Sequence, residues 1–210
     1  MKLTVLGATG GTGRHIVDQA LDAGHQVTAV VRDPTRLPVS HPNLEVITAD
    51  ITDTDALVPT VHGSTAVLSA LAATAKGGNI ATRGVRAVLA AMSTSDTRRL
   101  IAISAAPVGP VPAGESFLSR AILTPAIRRI FRDAYTDLAT MESEIRHSTT
   151  EWTIVRPPRL LNTPVTTHYR TRIGSNIPGG HQISRADLAH AMLAMLTEPE
   201  TFRRAVGVAD

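Results

Sequence analysis

The feature that most constrains this chain is a glycine-punctuated turn set between a strand and a helix, within MKLTVLGATGGTGRHIVDQALDAGHQVTAVVRDPTR, Met1 to Arg36. Lys2 to Leu6 is a short apolar run of the kind that forms a parallel strand buried on both faces. Gly7, Gly10 and Gly13 follow at intervals of three, and then Ile16, Val17, Ala20 and Leu21 recur at helical spacing until Ala23-Gly24 ends the helix. Gln26 to Val31 is a second strand. Strand, glycine turn, helix and strand together make the unit that binds dinucleotides. Glycine is needed because the turn is tight and the backbone must approach a pyrophosphate, which the first-turn N–H groups and the positive end of the helix then hold. The spacing is G-x-x-G-x-x-G, not the G-x-G-x-x-G of the common dehydrogenase fingerprint, so the glycines alone would suit any tight turn. It is their setting between two strands at the expected distance that points to a dinucleotide.

The tip of the second strand bears on which dinucleotide. An acid there would accept from the ribose 2′-OH of NAD, whereas arginine meets the 2′-phosphate of NADP. Here Arg32 precedes Asp33, with Arg36 one helical turn beyond Arg32. Two guanidinium groups can grip a phosphate through charge-assisted, bidentate bonds, so NADP(H) is the expected cofactor. In the plainer reading Arg36 is solvated and Asp33 caps the next turn.

Further along, Leu44 to Thr48 reads as a third strand leading into Ala49-Asp50-Ile51. Asp50 at that strand end suits either of two roles: accepting from an adenine amino group while Ile51 packs on the ring, or capping a helix near Asp53 to Pro59. Thr65 to Ala70 is the fourth strand, and its small-residue end, Ser69-Ala70-Leu71-Ala72, lets a cofactor lie close to the backbone. Asn79 to Met92 is an alanine-rich helix and Arg99 to Ser104 the fifth strand. Pro107 to Pro112 cannot be regular helix. Gly114 to Phe131 alternates apolar residues with arginines, which suits either a surface helix or a lid over the carboxyl edge of the sheet; the segment from about 107 to 132 is read as the lid. Asp133 to His147 is a helix, Trp152 to Arg156 the sixth strand, and Pro157-Pro158-Arg159 a loop facing the nicotinamide. Val165 to Arg170 is expected as a short strand, Ile183 to Leu188 as a strand entering a helix that runs to Thr197 with Ser184 as N-cap, and Arg204 to Val208 as the last strand.

The 210 residues suit one α/β domain, a Rossmann-type doubly wound parallel sheet, with no repeat or linker to divide it. Cysteine is absent, which excludes disulfides and thiolate metal sites and fits a reducing cytoplasm. No apolar run is long enough to span a membrane, and the start reads as a strand, not a signal peptide. Net charge is +3, but the arginines are scattered without aromatic platforms, so nucleic acid is not an expected partner. None of the eight histidines sits in a metal-like cluster, and no metal is expected.

As a set, GATGGTGRHIVDQAL, VTAVVRDPTRL, TAD, RLIAISA, WTIVRPPRL and ISRADLAHAML fall in the order and spacing of a known group. The chain resembles the atypical short-chain dehydrogenase/reductases, in their NAD(P)H-binding, NmrA-like branch, and within it the biliverdin and flavin reductases. The resemblance covers nearly the whole chain and is weakest between Pro107 and Arg132. It implies that Gly7, Thr9, Gly10, Gly11 and Thr12 line a pyrophosphate, that Arg32 and Arg36 hold the 2′-phosphate, and that Asp50 with Ile51 meets the adenine. It further implies that Ser104 stands beside the nicotinamide and that Pro157 and Pro158 shape its pocket.

Two departures from the resemblance narrow the chemistry. The Tyr-x-x-x-Lys pair of the better-known short-chain dehydrogenases is missing, since Tyr135 is followed four residues on by Ala139. Without a lysine to depress a tyrosine pKa, ketone or alcohol chemistry by that route is not expected. The histidine that biliverdin reductases carry after Pro-Pro is here Arg159, which cannot be a general acid near neutrality but can neutralise an anionic acceptor. The expectation is an NADPH-dependent reductase, monomeric or homodimeric, acting on a flavin, quinone or similar planar acceptor, with Ser104 and Arg159 as its working residues. The alternative is a non-catalytic NADP(H) sensor that binds a protein partner.

Overall fold

A computed structural model of the chain describes residues 1–71, 73, 78–110 and 131–210. Among these residues the chain runs β1 (Lys2–Leu6), α1 (Gly11–Asp22), β2 (Gln26–Val31), β3 (Leu44–Thr48), α2 (Thr54–Val61), β4 (Ala66–Ser69), α3 (Ile80–Ser93) and β5 (Arg99–Ile103). It continues through α4 (Arg132–His147), β6 (Glu151–Arg156), β7 (Arg159–Leu161), β8 (Arg170–Ile173), β9 (Gln182–Ser184), α5 (Arg185–Ala194) and β10 (Arg204–Ala209). The main sheet has the order β3-β2-β1-β4-β5-β6-β10-β8, and every pairing in it is parallel except β10 with β8. Strand order reverses between β1 and β4, and that crevice at the carboxyl edge is where such sheets bind ligands.

Two apolar layers sandwich the sheet. Ile16, Val17, Ala20 and Leu21 of α1 pack with Leu188, Ala189 and Met192 of α5 on one face. Leu57 and Val61 of α2, Val85 and Val88 of α3, and Met141 and Ile145 of α4 cover the other. Leu3, Leu6, Leu68, Leu100 and Ile154 are fully buried between these layers, each contributing about 1.5–3 kcal/mol relative to exposure. The edge strand β8, Arg-Thr-Arg-Ile, is exposed throughout, and its arginines discourage further strand pairing.

The expected strands and helices recur with ends shifted by a residue or two, but the stretch after β6 departs from expectation. Arg159 is not in a loop: it opens the three-residue strand β7, which pairs in parallel with β9. The short strand expected at Val165 to Arg170 begins instead at Arg170. The reason is Asp187, whose Oδ1 accepts from the backbone N–H of both Thr166 and Thr167 at 2.8 Å, while Thr167 takes a positive φ of 60°. Those amides cannot join a ladder. The last helix ends at Ala194 and tightens into a 3₁₀ turn, Met195–Thr197. A 3₁₀ turn, Ala106–Val108, also stands where irregular chain was expected, with Pro107 in its first positions. The expected lid lies outside the described residues from 111 to 130, as does Ala72.

Candidate dinucleotide and substrate site

The glycine turn sits at the end of β1, and each glycine has a separate cause. Gly7 has φ +76°, and a Cβ on it would stand 2.7 Å from the Ala70 carbonyl oxygen at the end of β4. Gly13 lies against the Gly7 backbone with no room for a methyl group. Gly10 takes an ordinary φ of −80° and donates its N–H to the Gly7 carbonyl at 2.9 Å, so its smallness serves the turn and its conformation does not need glycine. Arg14 N–H is the first to bond back into α1, to Gly10 O at 3.0 Å. The N–H groups of Gly11, Thr12 and Gly13 therefore have no helical acceptor, no side chain caps them, and no acid stands in the first turn. An uncapped helix start beside a positive-φ glycine, open to solvent at Gly10 and Gly11, is the cradle a pyrophosphate requires.

At the tip of β2, Arg32 and Arg36 are both exposed. Arg36 closes a 3₁₀ turn, Pro34–Arg36, so it does not lie one α-helical turn from Arg32 as expected. Asp33 caps that turn: its Oδ1 accepts from Thr35 N at 3.0 Å and Thr35 Oγ1 at 2.6 Å, and these bonds hold its pKa below the usual carboxylate value. Arg14, which the sequence reading passed over, reaches from α1 and donates to the Arg36 carbonyl at 2.6 Å. Arg14 thus ties α1 to the turn after β2, while Arg32 at the strand tip lies near enough to Asp50 for its charge to act there. Asp50, at the end of β3, accepts from Thr52 N and Oγ1 through one oxygen, Oδ1, both at 2.9 Å. Hydrogen bonds from Thr52, and more weakly the charges of Arg83 and Arg32, keep its pKa low. Asp53, not Asp50, caps α2. Ile51 and Leu71 are buried near Gly84 of α3, and with Ala70 they form the wall of the crevice beyond Gly7.

Across the crevice, Ser104 follows β5 and is buried, and its hydroxyl makes no well-aligned hydrogen bond among the described residues. It faces Glu142 of α4, which is 3% exposed and forms a two-pronged ion pair with Arg156 at the end of β6, one bond being Arg156 Nε to Oε1 at 2.8 Å. Burial pushes the Glu142 carboxyl up, but Arg156, with help from Ser104 and Arg146, outweighs it and leaves the pKa below normal. Ala106 N donates to Pro157 O at 2.8 Å, and Asn176 Nδ2 donates to Ala106 O and Pro110 O at 2.7 and 3.0 Å, which tie the strand ends together. Pro157 is buried and Pro158 half-buried, whereas Arg159 is exposed. Tyr135 is half-buried at the start of α4, and burial raises its pKa. A cavity of about 640 Å³ lies against it, with Pro107, Val108 and Thr136 among the lining residues.

Arg185 is the other residue that the sequence reading did not single out. It opens α5, and its Cδ and Nε lie over Gly11, where a Cβ would stand 2.7 and 2.8 Å from them. Its Nη1 donates to Asn162 Oδ1 at 2.6 Å.

A parallel sheet of this order, with an uncapped glycine turn at its switch point, defines a Rossmann-type nucleotide-binding protein. The comparison with known proteins is more particular: residues 7–199 match the NAD(P)H-binding family, and the chain belongs to it. An uncharacterized chloroplastic protein of Arabidopsis thaliana is 29% identical over 96% of this chain and 74% of its own. YwnB, an uncharacterized protein of Bacillus subtilis, is 24% identical over 95% of this chain and 94% of its own. Among solved structures, a short-chain dehydrogenase/reductase of Veillonella parvula in complex with NADP superposes with a TM-score of 0.82 at 22% identity, covering 100% of this chain and 94% of that one. At such identity the likeness shows the fold. Among the described residues no helix is long and apolar enough to cross a membrane.

Proposed function

We propose that the protein is an NADPH-dependent reductase that delivers hydride to a planar conjugated acceptor, a flavin or a quinone. The observation that carries the choice of cofactor is the orientation of Asp33. Its carboxylate is turned to Thr35, so the tip of β2 offers Arg14, Arg32 and Arg36 to a ligand. Three guanidinium groups suit a 2′-phosphate, and the acid among them has one of its oxygens, Oδ1, taken up by Thr35. In this reading Gly11, Thr12 and Gly13 present N–H groups to the pyrophosphate, and Gly7, Thr9 and Gly10 give it room. Asp50, through its second oxygen, and Ile51 meet the adenine end, with Ala70 and Leu71 behind it. Pro157 and Pro158 shape the nicotinamide pocket beside Ser104.

The nicotinamide, when bound, supplies the hydride. The residues around its end supply alignment and charge. Tyr135 has no lysine four residues on, and its pKa is raised by burial, so it stays protonated and is a poor proton shuttle near neutrality. Ser104 is buried beside an ion pair, and Arg159, exposed at the start of β7, is assigned in this reading to attract an anionic acceptor. An electron-poor ring needs stacking and little else from the protein, which is why flavins and quinones suit this site better than ketones.

The test is NADPH oxidation by the purified chain with FMN, FAD or menadione. Steady turnover with any of them is expected. Tight NADPH binding without turnover of any acceptor would sink the reductase reading and leave the protein a nucleotide sensor.

A further inference from the structure

We propose that Arg185 is a pyrophosphate-gripping residue, held over the glycine turn by Asn162. The proposal rests on the reading of the turn as the NAD(P)H site and adds a cation from α5, the helix packed beside α1.

Four observations carry it. First, Arg185 is the first residue of α5, where a positive charge opposes the helix dipole, and acids are the favoured charges at such a position. Its charge does not serve its own helix. Second, the side chain crosses to α1 and lies over Gly11, and the missing Cβ of Gly11 is what makes room for it. Third, its head is fixed: Nη1 donates to Asn162 Oδ1 at 2.6 Å and, more weakly, to Leu160 O at 3.4 Å. Both acceptors are neutral, and among the described residues Arg185 forms no ion pair. Asp187, the nearest acid in sequence, is occupied by Ser184, Thr166 and Thr167. Fourth, the helix start beneath it has free N–H groups and no acid of its own.

A guanidinium with no counter-ion among the described residues, anchored by one nitrogen beside an uncapped helix start, adds a full charge to the partial charge of the helix. Nε and Nη2 have no acceptor among the described residues and present two parallel donors, the geometry that matches two phosphate oxygens. Asn162, just past the end of β7, fixes the head, so the residue ties the glycine turn to the β7–β9 pair.

The test is a set of titrations with NADPH, NADH, ADP-ribose and adenosine 2′-monophosphate. Arg185→Met should weaken the first three by the same factor, about tenfold to a hundredfold for one charged contact. It should leave adenosine 2′-monophosphate, which lacks the pyrophosphate, unchanged. Arg185→Lys keeps the charge but not the fork and should recover only part of the loss. Gly11→Ala places a methyl group where the Arg185 stem now lies and should mimic Arg185→Met. In an Arg185→Met background the same Gly11→Ala change should add almost nothing.

Several outcomes overturn the proposal. ADP-ribose bound equally by wild type and Arg185→Met would do so, as would a loss confined to ligands with a nicotinamide. A Gly11→Ala penalty undiminished by Arg185→Met would mean the ligand itself needs that space. A wild-type chain that binds none of the dinucleotides would remove the cofactor reading, and this proposal with it.

Discussion

Arg32→Ala probes the cofactor reading most directly. Arg32 stands exposed at the end of β2, with Arg36 beyond it and Arg14 tied to the Arg36 carbonyl at 2.6 Å. One pair of unit charges about 4 Å apart is worth about 1 kcal/mol in bulk water and about 4 kcal/mol near a protein surface at an effective dielectric constant of about 20. Exposure puts this site toward the lower figure, and two neighbouring arginines remain to hold part of the phosphate charge. The expected loss is about 1.5 kcal/mol, the low end for a charged hydrogen bond. That corresponds to roughly tenfold in Kd for NADPH. NADH lacks the 2′-phosphate and should be nearly unaffected. Calorimetric titration of both cofactors at low and high salt measures the difference, which should shrink as the Debye length falls from about 10 Å at 0.1 M to about 3 Å at 1 M. Equal losses for NADPH and NADH, or a wild-type preference for NADH, would refute the assignment.

Gly13→Ala drives a methyl group into the Gly7 carbonyl and should destabilise the fold by about 1–3 kcal/mol in urea, whereas Gly10→Ala, at φ −80° and 3.2 Å from that carbonyl, should cost less than about 1 kcal/mol. Glu142→Ala leaves Arg156 buried without its partner and should cost about 3–5 kcal/mol in the same measurement. Because the folded pKa of Glu142 lies below its ordinary 4.5, its stabilisation is complete above that pH and is lost as pH falls through the lower folded value; an acid titration of Glu142→Gln should lack that component. In turnover, rates with menadione should vary little between about pH 6 and 8, since arginine stays charged and serine neutral. Ser104→Ala should slow the reaction about tenfold, and Arg159→Ala should raise KM for FMN while sparing menadione; a steep bell-shaped pH profile would show a titrating protein group at work instead.

What could be read from the chain in advance divides along a physical line. The β1-α1-β2 unit was legible because its determinants are local: apolar runs, helical spacing and glycines within the first thirty-one residues, and the strand limits Lys2–Leu6 and Gln26–Val31 match the structure. The stretch from Arg159 to Ser184 was not, because its conformation is set from a distance. β7 is three residues long and finds its partner in β9, and Asp187 removes the Thr166 and Thr167 amides from any ladder. Propensity carries no record of either event.

The same division runs through the candidate site. Gly7, Gly10 and Gly13 announce themselves by spacing, yet only the backbone shows that Gly7 needs its positive φ and Gly10 does not. Ser104 could be placed at a strand end, but the buried Glu142–Arg156 pair beside it joins residues from α4 and β6 that no motif links. Arg185 did leave a local trace. In ISRADL it follows the N-cap Ser184, in the first turn where a cation is disfavoured, and it faces a capping pattern that already satisfies its own helix. A charge placed against the preference of its own element is evidence of a partner elsewhere. Here the structure puts that charge over Gly11, at a helix start that has no side-chain cap and no acid in its first turn.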